Sequence, residues 1–92
     1  MELFQELKKS FTKIQRLFTP ESLEEFLHIP YNELNCCHFG LGLWIRNYLL
    51  AEKSKLWCCF MDGGVYDLDD MSDFVIKAFY IFLKIKNRSN QQ

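Results

Sequence analysis

The stretch MSDFVIKAFYIFLKIK, residues 71–86, is apolar over most of the circumference of any helix it forms. Met71, Phe74, Val75, Ile76, Ala78, Phe79, Ile81, Phe82, Leu83 and Ile85 leave only Lys77, Tyr80 and Lys84 as a polar stripe. A helix apolar on three sides belongs in the middle of a bundle, or buries its extra face in a partner. Asp69 or Asp70 is placed to cap its start, and Asp73, three residues beyond Asp70, approximates a capping box. Lys84, Lys86 and Arg88 suit the negative end of its dipole, and residues 87–92 are expected to fray.

The second organising stretch is HFGLGLWIRNYLL, residues 38–50. Gly40 and Gly42 mark a turn, or a close approach of two backbones where a Cβ would collide. Leu43, Trp44, Asn47, Leu50 and Ala51 then recur at helical spacing, which predicts a helix over residues 41–52. Arg46 sits among apolar neighbours. Its guanidinium either reaches out to water or is pinned by a carboxylate or by backbone carbonyls, and an arginine that ties helices together is the favoured reading.

Between these two stretches the helical pattern lapses. KLWCCFMDGGVYDLD, residues 55–69, holds aromatic and thiol residues and then Asp62-Gly63-Gly64, a strong turn signal. It reads as a long loop packed on the core, or as a small hairpin pairing LWCCF with VYDL. The loop is favoured, because two such strands are marginal alone and no other segment offers to extend a sheet.

Toward the N-terminus, Leu3, Phe4, Leu7, Phe11, Ile14, Leu17 and Phe18 fall on one stripe, with Lys8, Lys9, Lys13 and Arg16 among the polar positions, as in an amphipathic helix. A basic helix face of this kind is most often solvated surface. Thr19, Pro20 and Glu21 begin a second helix as cap, first-turn proline and dipole partner, and Pro30 ends it near His28. Asn32 is a candidate cap for a brief helix running to about Phe39. The expectation is a single all-α domain, residues 1–92, of four to five helices, with one irregular loop or minor hairpin around residues 57–68.

Ninety-two residues bury about two thirds of the surface that the unfolded chain exposes. A hydrophobic content of 49% with nine Phe excludes disorder, and a net charge of −1 gives no global pull toward nucleic acid or an anionic membrane. The first residues, MELFQELKK, lack the apolar core of a secretory signal, so the chain is expected in the cytoplasm. Lys77 and Lys84 interrupt the most hydrophobic segment, so no membrane insertion is expected.

Chemistry-bearing patterns are sparse. Cys36-Cys37 and Cys58-Cys59 are adjacent pairs rather than the CxxC spacing that grips a metal; buried thiols acting as small hydrophobes are favoured over a zinc site with His38. His28 and His38 read as hydrogen-bonded structural histidines. None of Ser10, Ser22, Ser54, Ser72 and Ser89 sits in a nucleophile elbow, and Gly40-Leu41-Gly42 lacks the third glycine of a phosphate-binding loop. No enzyme, cofactor, metal or small-molecule substrate is expected.

Charge placement says more. From Trp57 to Ile76 there are five acids, Asp62, Asp67, Asp69, Asp70 and Asp73, and no Lys, Arg or His. A helix N-terminus accounts for Asp69, Asp70 and Asp73. Asp62 and Asp67, interleaved with Trp57, Phe60, Val65 and Tyr66, read as a docking surface for a basic protein.

The pattern His38-Phe39-Gly40-x-Gly42-x-Trp44-Ile45-Arg46-Asn47, followed by Asp69-Asp70-Met71-Ser72, resembles an uncharacterised family of small bacterial proteins and spans half to two thirds of the chain. The resemblance implies that His38, Arg46, Asn47 and Asp70 are polar members of one central network, with Arg46 and Asp70 as the pair. Gly40, Gly42 and Trp44 frame it. Loss of one partner from a desolvated pair typically costs about 3–5 kcal/mol. The cysteine pairs and the acid-rich connecting loop depart from the family pattern.

By profile, the chain is also similar to the immunity proteins of contact-dependent growth inhibition systems, which bind one toxin domain tightly and block it. Toxin nucleases are generally basic because they bind phosphates, and an acidic inhibitor gains association rate and selectivity from that. This similarity implies a cognate toxin domain as partner, met by Asp62, Tyr66, Asp67, Asp69, Asp70 and Asp73, with no direct contact to nucleic acid. The alternative is a stand-alone regulatory or scaffold protein.

Overall fold

The computed structural model describes residues 2–36, 40–51 and 54–90. They form five α-helices, α1 (Glu2–Gln15), α2 (Pro20–Leu27), α3 (Leu41–Tyr48), α4 (Lys55–Asp62) and α5 (Leu68–Asn90), with a 3-10 segment at Tyr31–Cys36. No strand occurs among the described residues, and the all-α bundle is as expected.

The apolar circumference of α5 makes it the axis. Met71, Val75, Ile76, Phe79 and Leu83 are buried; α3, the 3-10 segment and α2 pack along the helix, while α1 lies against α4. Phe79 is the centre of an aromatic cluster, with ring centroids 5.7 Å from Phe11, 5.8 Å from Phe26 and 6.1 Å from Phe18. Three segments distant in sequence thus meet on one side chain. Tyr80 departs from the expected polar stripe: it is buried, and its hydroxyl donates to the Ile29 carbonyl at 2.7 Å. Its ring supplies apolar bulk while its tip partners a carbonyl released where Pro30 ends α2.

The chain punctuation shows why each helix starts and stops. The Thr19 hydroxyl accepts from the Ser22 N–H at 3.1 Å, and the Ser22 hydroxyl accepts from the Thr19 N–H at 2.8 Å, a reciprocal cap ahead of Pro20. Asn32 lies inside the 3-10 segment rather than capping it. Gly40 opens α3 with φ of +80°, a conformation that a Cβ disfavours. Gly42 is buried in the following turn.

Helix α3 stops at Tyr48, short of the expected residue 52. Leu49 and Leu50 are both buried, which requires the chain to turn into the core there. Ser54 stitches the break: its hydroxyl donates to the Leu49 carbonyl at 3.1 Å and accepts from the Trp57 N–H at 3.2 Å, capping α4.

That cap begins an element which overturns the reading of residues 55–69 as a loop or hairpin. Residues 55–62 are helical, with Leu56 and Phe60 buried one turn apart. The turn at Asp62-Gly63-Gly64 is real and closes this helix. The Val65 N–H reaches the Phe60 carbonyl and the Gly64 N–H the Met61 carbonyl, while Gly64 takes φ of +90°. Helix α5 then starts earlier than expected: the Asp67 carboxylate accepts from the Asp69 N–H at 2.8 Å, so the cap is Asp67 rather than Asp69 or Asp70.

Candidate functional site

The acidic residues singled out in the sequence lie at one end of the bundle, on the last turn of α4, the connection and the first turns of α5. Asp62, Tyr66, Asp67, Asp69 and Asp70 are exposed and Asp73 is half-buried. The aromatic neighbours divide. Phe60 is buried edge-on to Phe74 at 5.5 Å, Trp57 and Val65 are half-buried, and Tyr66 is 69% exposed.

The fold alters the charge reading in a way that linear spacing does not show. Residues 57–76 contain no base, yet two bases reach in from neighbouring positions: Arg46 of α3 pairs with Asp69, and Lys77 pairs with Asp73 at 3.0 Å. The hydrogen bond that the Lys77 ammonium donates to Asp73, reinforced by the carboxylate's charge, raises the Lys77 pKa against the opposing effect of desolvation. Asp67 is engaged as the α5 cap. The remaining two carboxylates are Asp62 and Asp70.

Asp62 occupies a costly position. It is the last residue of α4, where the helix carbonyls make the negative end of the dipole, and no basic residue shares that turn. A carboxylate at the wrong end of a helix costs about 0.3–1 kcal/mol. It also borders a polar groove of about 210 Å³ between α1 and α4, together with Glu6, Lys9, Lys55 and Cys58. The volume is below the roughly 300–1,000 Å³ of typical small-molecule sites.

The pair proposed between Arg46 and Asp70 is instead Arg46 with Asp69. Asp69 shares its helix face with the buried Ser72 and Ile76, three and seven residues on, and that face meets α3; Asp70 is turned about 100° away. Asn47 is exposed, and Trp44 is half-buried, 5.4 Å from Tyr48 between ring centroids. Cys37 and His38, and with them the zinc alternative and the histidine of the expected polar network, lie outside the described residues. Among the described residues, no cluster of His, Cys, Asp and Glu is arranged to hold a metal.

This geometry changes the size of the expected effect. The Arg46 side chain is 33% exposed and that of Asp69 76%. Asp69→Asn is therefore expected to cost about 0–1 kcal/mol in a urea melt, the range of an exposed pair, rather than that of a desolvated one. Arg46→Leu tests the other half: the Arg46 Nε is buried without a hydrogen-bond partner among the described residues, so its removal strands no acceptor.

Leu68, 42% exposed on the first turn of α5, adds an apolar side chain to this end and has no distinguishing signal in the sequence.

A family model described as "Domain of unknown function (DUF6794)" matches residues 5–83, and the chain belongs to that family. No curated protein and no solved structure matches it.

Proposed function

We propose that this family member is a non-catalytic immunity protein that neutralises a cognate bacterial toxin domain, a basic nuclease, by stoichiometric binding in the cytoplasm. The docking surface is the face bearing Asp62, Tyr66, Asp67, Asp69, Asp70 and Asp73, with Tyr66 as its aromatic anchor and Asp62 and Asp70 as the carboxylates that have no ion pair among the described residues. The observation that carries this reading is Asp62. An exposed carboxylate at the unfavourable end of a helix, with an exposed tyrosine four residues on, supports a role in binding.

The test separates the two roles of that residue. Asp62→Asn is expected to raise stability by about 0.3–1 kcal/mol, because the dipole clash is removed. It is also expected to slow association with the toxin domain encoded beside this chain and to flatten the salt dependence of that rate. Stopped-flow binding and a denaturant melt on the same preparation read both. Unchanged stability together with unchanged association at low salt would sink the reading of Asp62 as a steering charge. Absence of any binding by the wild-type chain to the adjacent-gene product would remove the immunity function itself.

A second reading, a regulatory or scaffold protein, is favoured by a different observation: α5 leaves Phe74, Ile81 and Ile85 about half exposed along one face.

A further inference from the structure

Charge of opposite sign gathers on two adjoining parts of the surface. One is the outer side of α1 and the turn after it, where Lys8, Lys9, Lys13 and Arg16 are exposed. Glu6 answers one of them, pairing with Lys9 at 3.3 Å, while Lys13 and Arg16 have no ion pair among the described residues. Lys9 and Lys13 stand four residues apart on α1, a like-charge spacing that a helix in water does not favour. The other part is the acidic end, where Asp62 and Asp70 likewise have no ion pair among the described residues.

Each surface also carries exposed apolar side chains. Phe4 is 59% and Leu17 49% exposed at the two ends of the basic side, as Tyr66 and Leu68 are exposed at the acidic end. The Lys8 ammonium lies 4.7 Å from the Phe4 ring centroid, so charge and apolar bulk are presented together. The two surfaces meet along the groove between α1 and α4, which Lys9 lines from the first helix and Asp62 from the second. Among the described residues no ion pair crosses it.

We infer that two copies of this chain associate through these surfaces, the basic side of α1 in each against the acidic end of the other. A two-fold pair needs both halves of the contact on one side of the molecule, and the shared groove places them there. Each copy gives its bases to the other's acids and receives the other's bases on its own, so the assembly closes at two. A polyanion fits less well. The net charge of −1 gives it no long-range pull, and a duplex or an anionic bilayer laid over α1 brings phosphates against Asp62 as well. A second copy matches both signs. The pairing is a property of the chain alone; its consequence, that a second copy and a toxin domain compete for the acidic end, rests on the immunity reading.

Sedimentation velocity of the intact chain, without any toxin, is expected to show a monomer–dimer equilibrium at low salt. Its association constant should fall at least about tenfold between about 0.05 M and about 0.5 M salt. Lys13→Glu with Arg16→Glu, and separately Asp62→Lys with Asp70→Lys, should each weaken self-association at least about tenfold, because like charge then meets like charge in both halves of the symmetric contact. Mixed one to one, these two variants should form a heterodimer, since both halves are complementary again. A control excludes attraction by net charge alone: Glu24→Lys with Glu25→Lys, exposed on α2, has the same net charge as the acid-reversed variant and should not capture the base-reversed one. The reversed positions are all exposed, so each variant should keep a cooperative melt. Lys13 lies in the last turn of α1, and Lys13→Gln with Arg16→Gln is the milder companion, expected to weaken association less than reversal does.

A chain that stays monomeric at low salt overturns the proposal, and binding of a DNA duplex or of phosphatidylglycerol vesicles by that monomer would reassign the basic side. A dimer that survives both reversals, or that Ile81→Asp abolishes while they do not, also overturns it. So does growth past the dimer into open chains, or capture of the base-reversed variant by the α2 variant as readily as by the acid-reversed one.

Discussion

Phe79→Ala is expected to cost about 3–5 kcal/mol, the range for emptying a fully buried aromatic position. Phe79 has no exposed surface, and its ring touches Phe11 before α2, Phe26 within it and Phe18 between α1 and α2. The void would open where all three converge, on the helix that organises the bundle. For a domain whose whole stability is about 5–15 kcal/mol, that loss is a large fraction. At about 4–8 °C per kcal/mol for a chain of this size, the melting temperature should fall by tens of degrees. Phe79→Leu keeps most of the volume and should cost far less. A denaturant series on both variants decides the matter: a loss under about 1 kcal/mol for Phe79→Ala would mean that the site collapses around the missing ring, and that Phe79 is not the keystone described above.

How much of this was legible beforehand depends on whether a signal is local. The Thr19-Pro20 start, the Pro30 stop and the apolar run of residues 71–86 act through backbone dihedrals and side-chain periodicity, which adjacent residues set. The structure agrees with all three. Helix α4 escapes such a reading, although Leu56 and Phe60 stand at helical spacing. Two buried positions in eight residues do not outweigh a dense run of aromatic and thiol side chains beside Gly63-Gly64. What stabilises α4 is tertiary and capping: Ser54 joins it to the end of α3, and its apolar edge packs into the bundle. Tyr80 looks solvent-facing in the sequence for a similar reason. Its partner, the Ile29 carbonyl, lies 51 residues away.

The candidate site shows the same division. That acids cluster in residues 62–73 is a sequence fact, and their exposure follows from their polarity. Which of them are available is not. Asp69 is taken by an arginine 23 residues earlier, because α3 crosses the α5 face that carries Asp69 and not Asp70. The exposed row of Phe74, Ile81 and Ile85 is legible in the sequence only as an excess of apolar surface on α5; its width is set by Phe82 and Tyr80 turning inward.

That distinction determines how the docking surface should be attacked. Reversing both unpaired carboxylates, Asp62→Lys with Asp70→Lys, is expected to slow association with a basic toxin domain by about 10–100-fold at low salt, since the steering field changes sign where the partner approaches. The difference should narrow toward wild type as salt shortens the screening length. Asp67 makes a poorer target for reversal. Its carboxylate caps α5 through the Asp69 N–H, and replacing an N-cap with lysine would cost about 1 kcal/mol and mix a folding defect into the binding result. Asp67→Asn preserves the cap and removes the charge, so the pair Asp62→Asn and Asp67→Asn should leave folding intact and slow association less than the reversal does. Asp69 and Asp73 are already neutralised in part by Arg46 and Lys77, and neutralising either should move the rate least of the five acids. Rates ordered in this way, with reversal at Asp62 and Asp70 the most damaging and Asp73→Asn the mildest, would be a signature of this surface that simple loss of net charge cannot produce. If the doubly reversed variant associates at the wild-type rate in low salt, the acidic end is not the docking site. The basic face of α1 and the turn after it, where Lys8, Lys9, Lys13 and Arg16 are all exposed, is then the next surface to reverse.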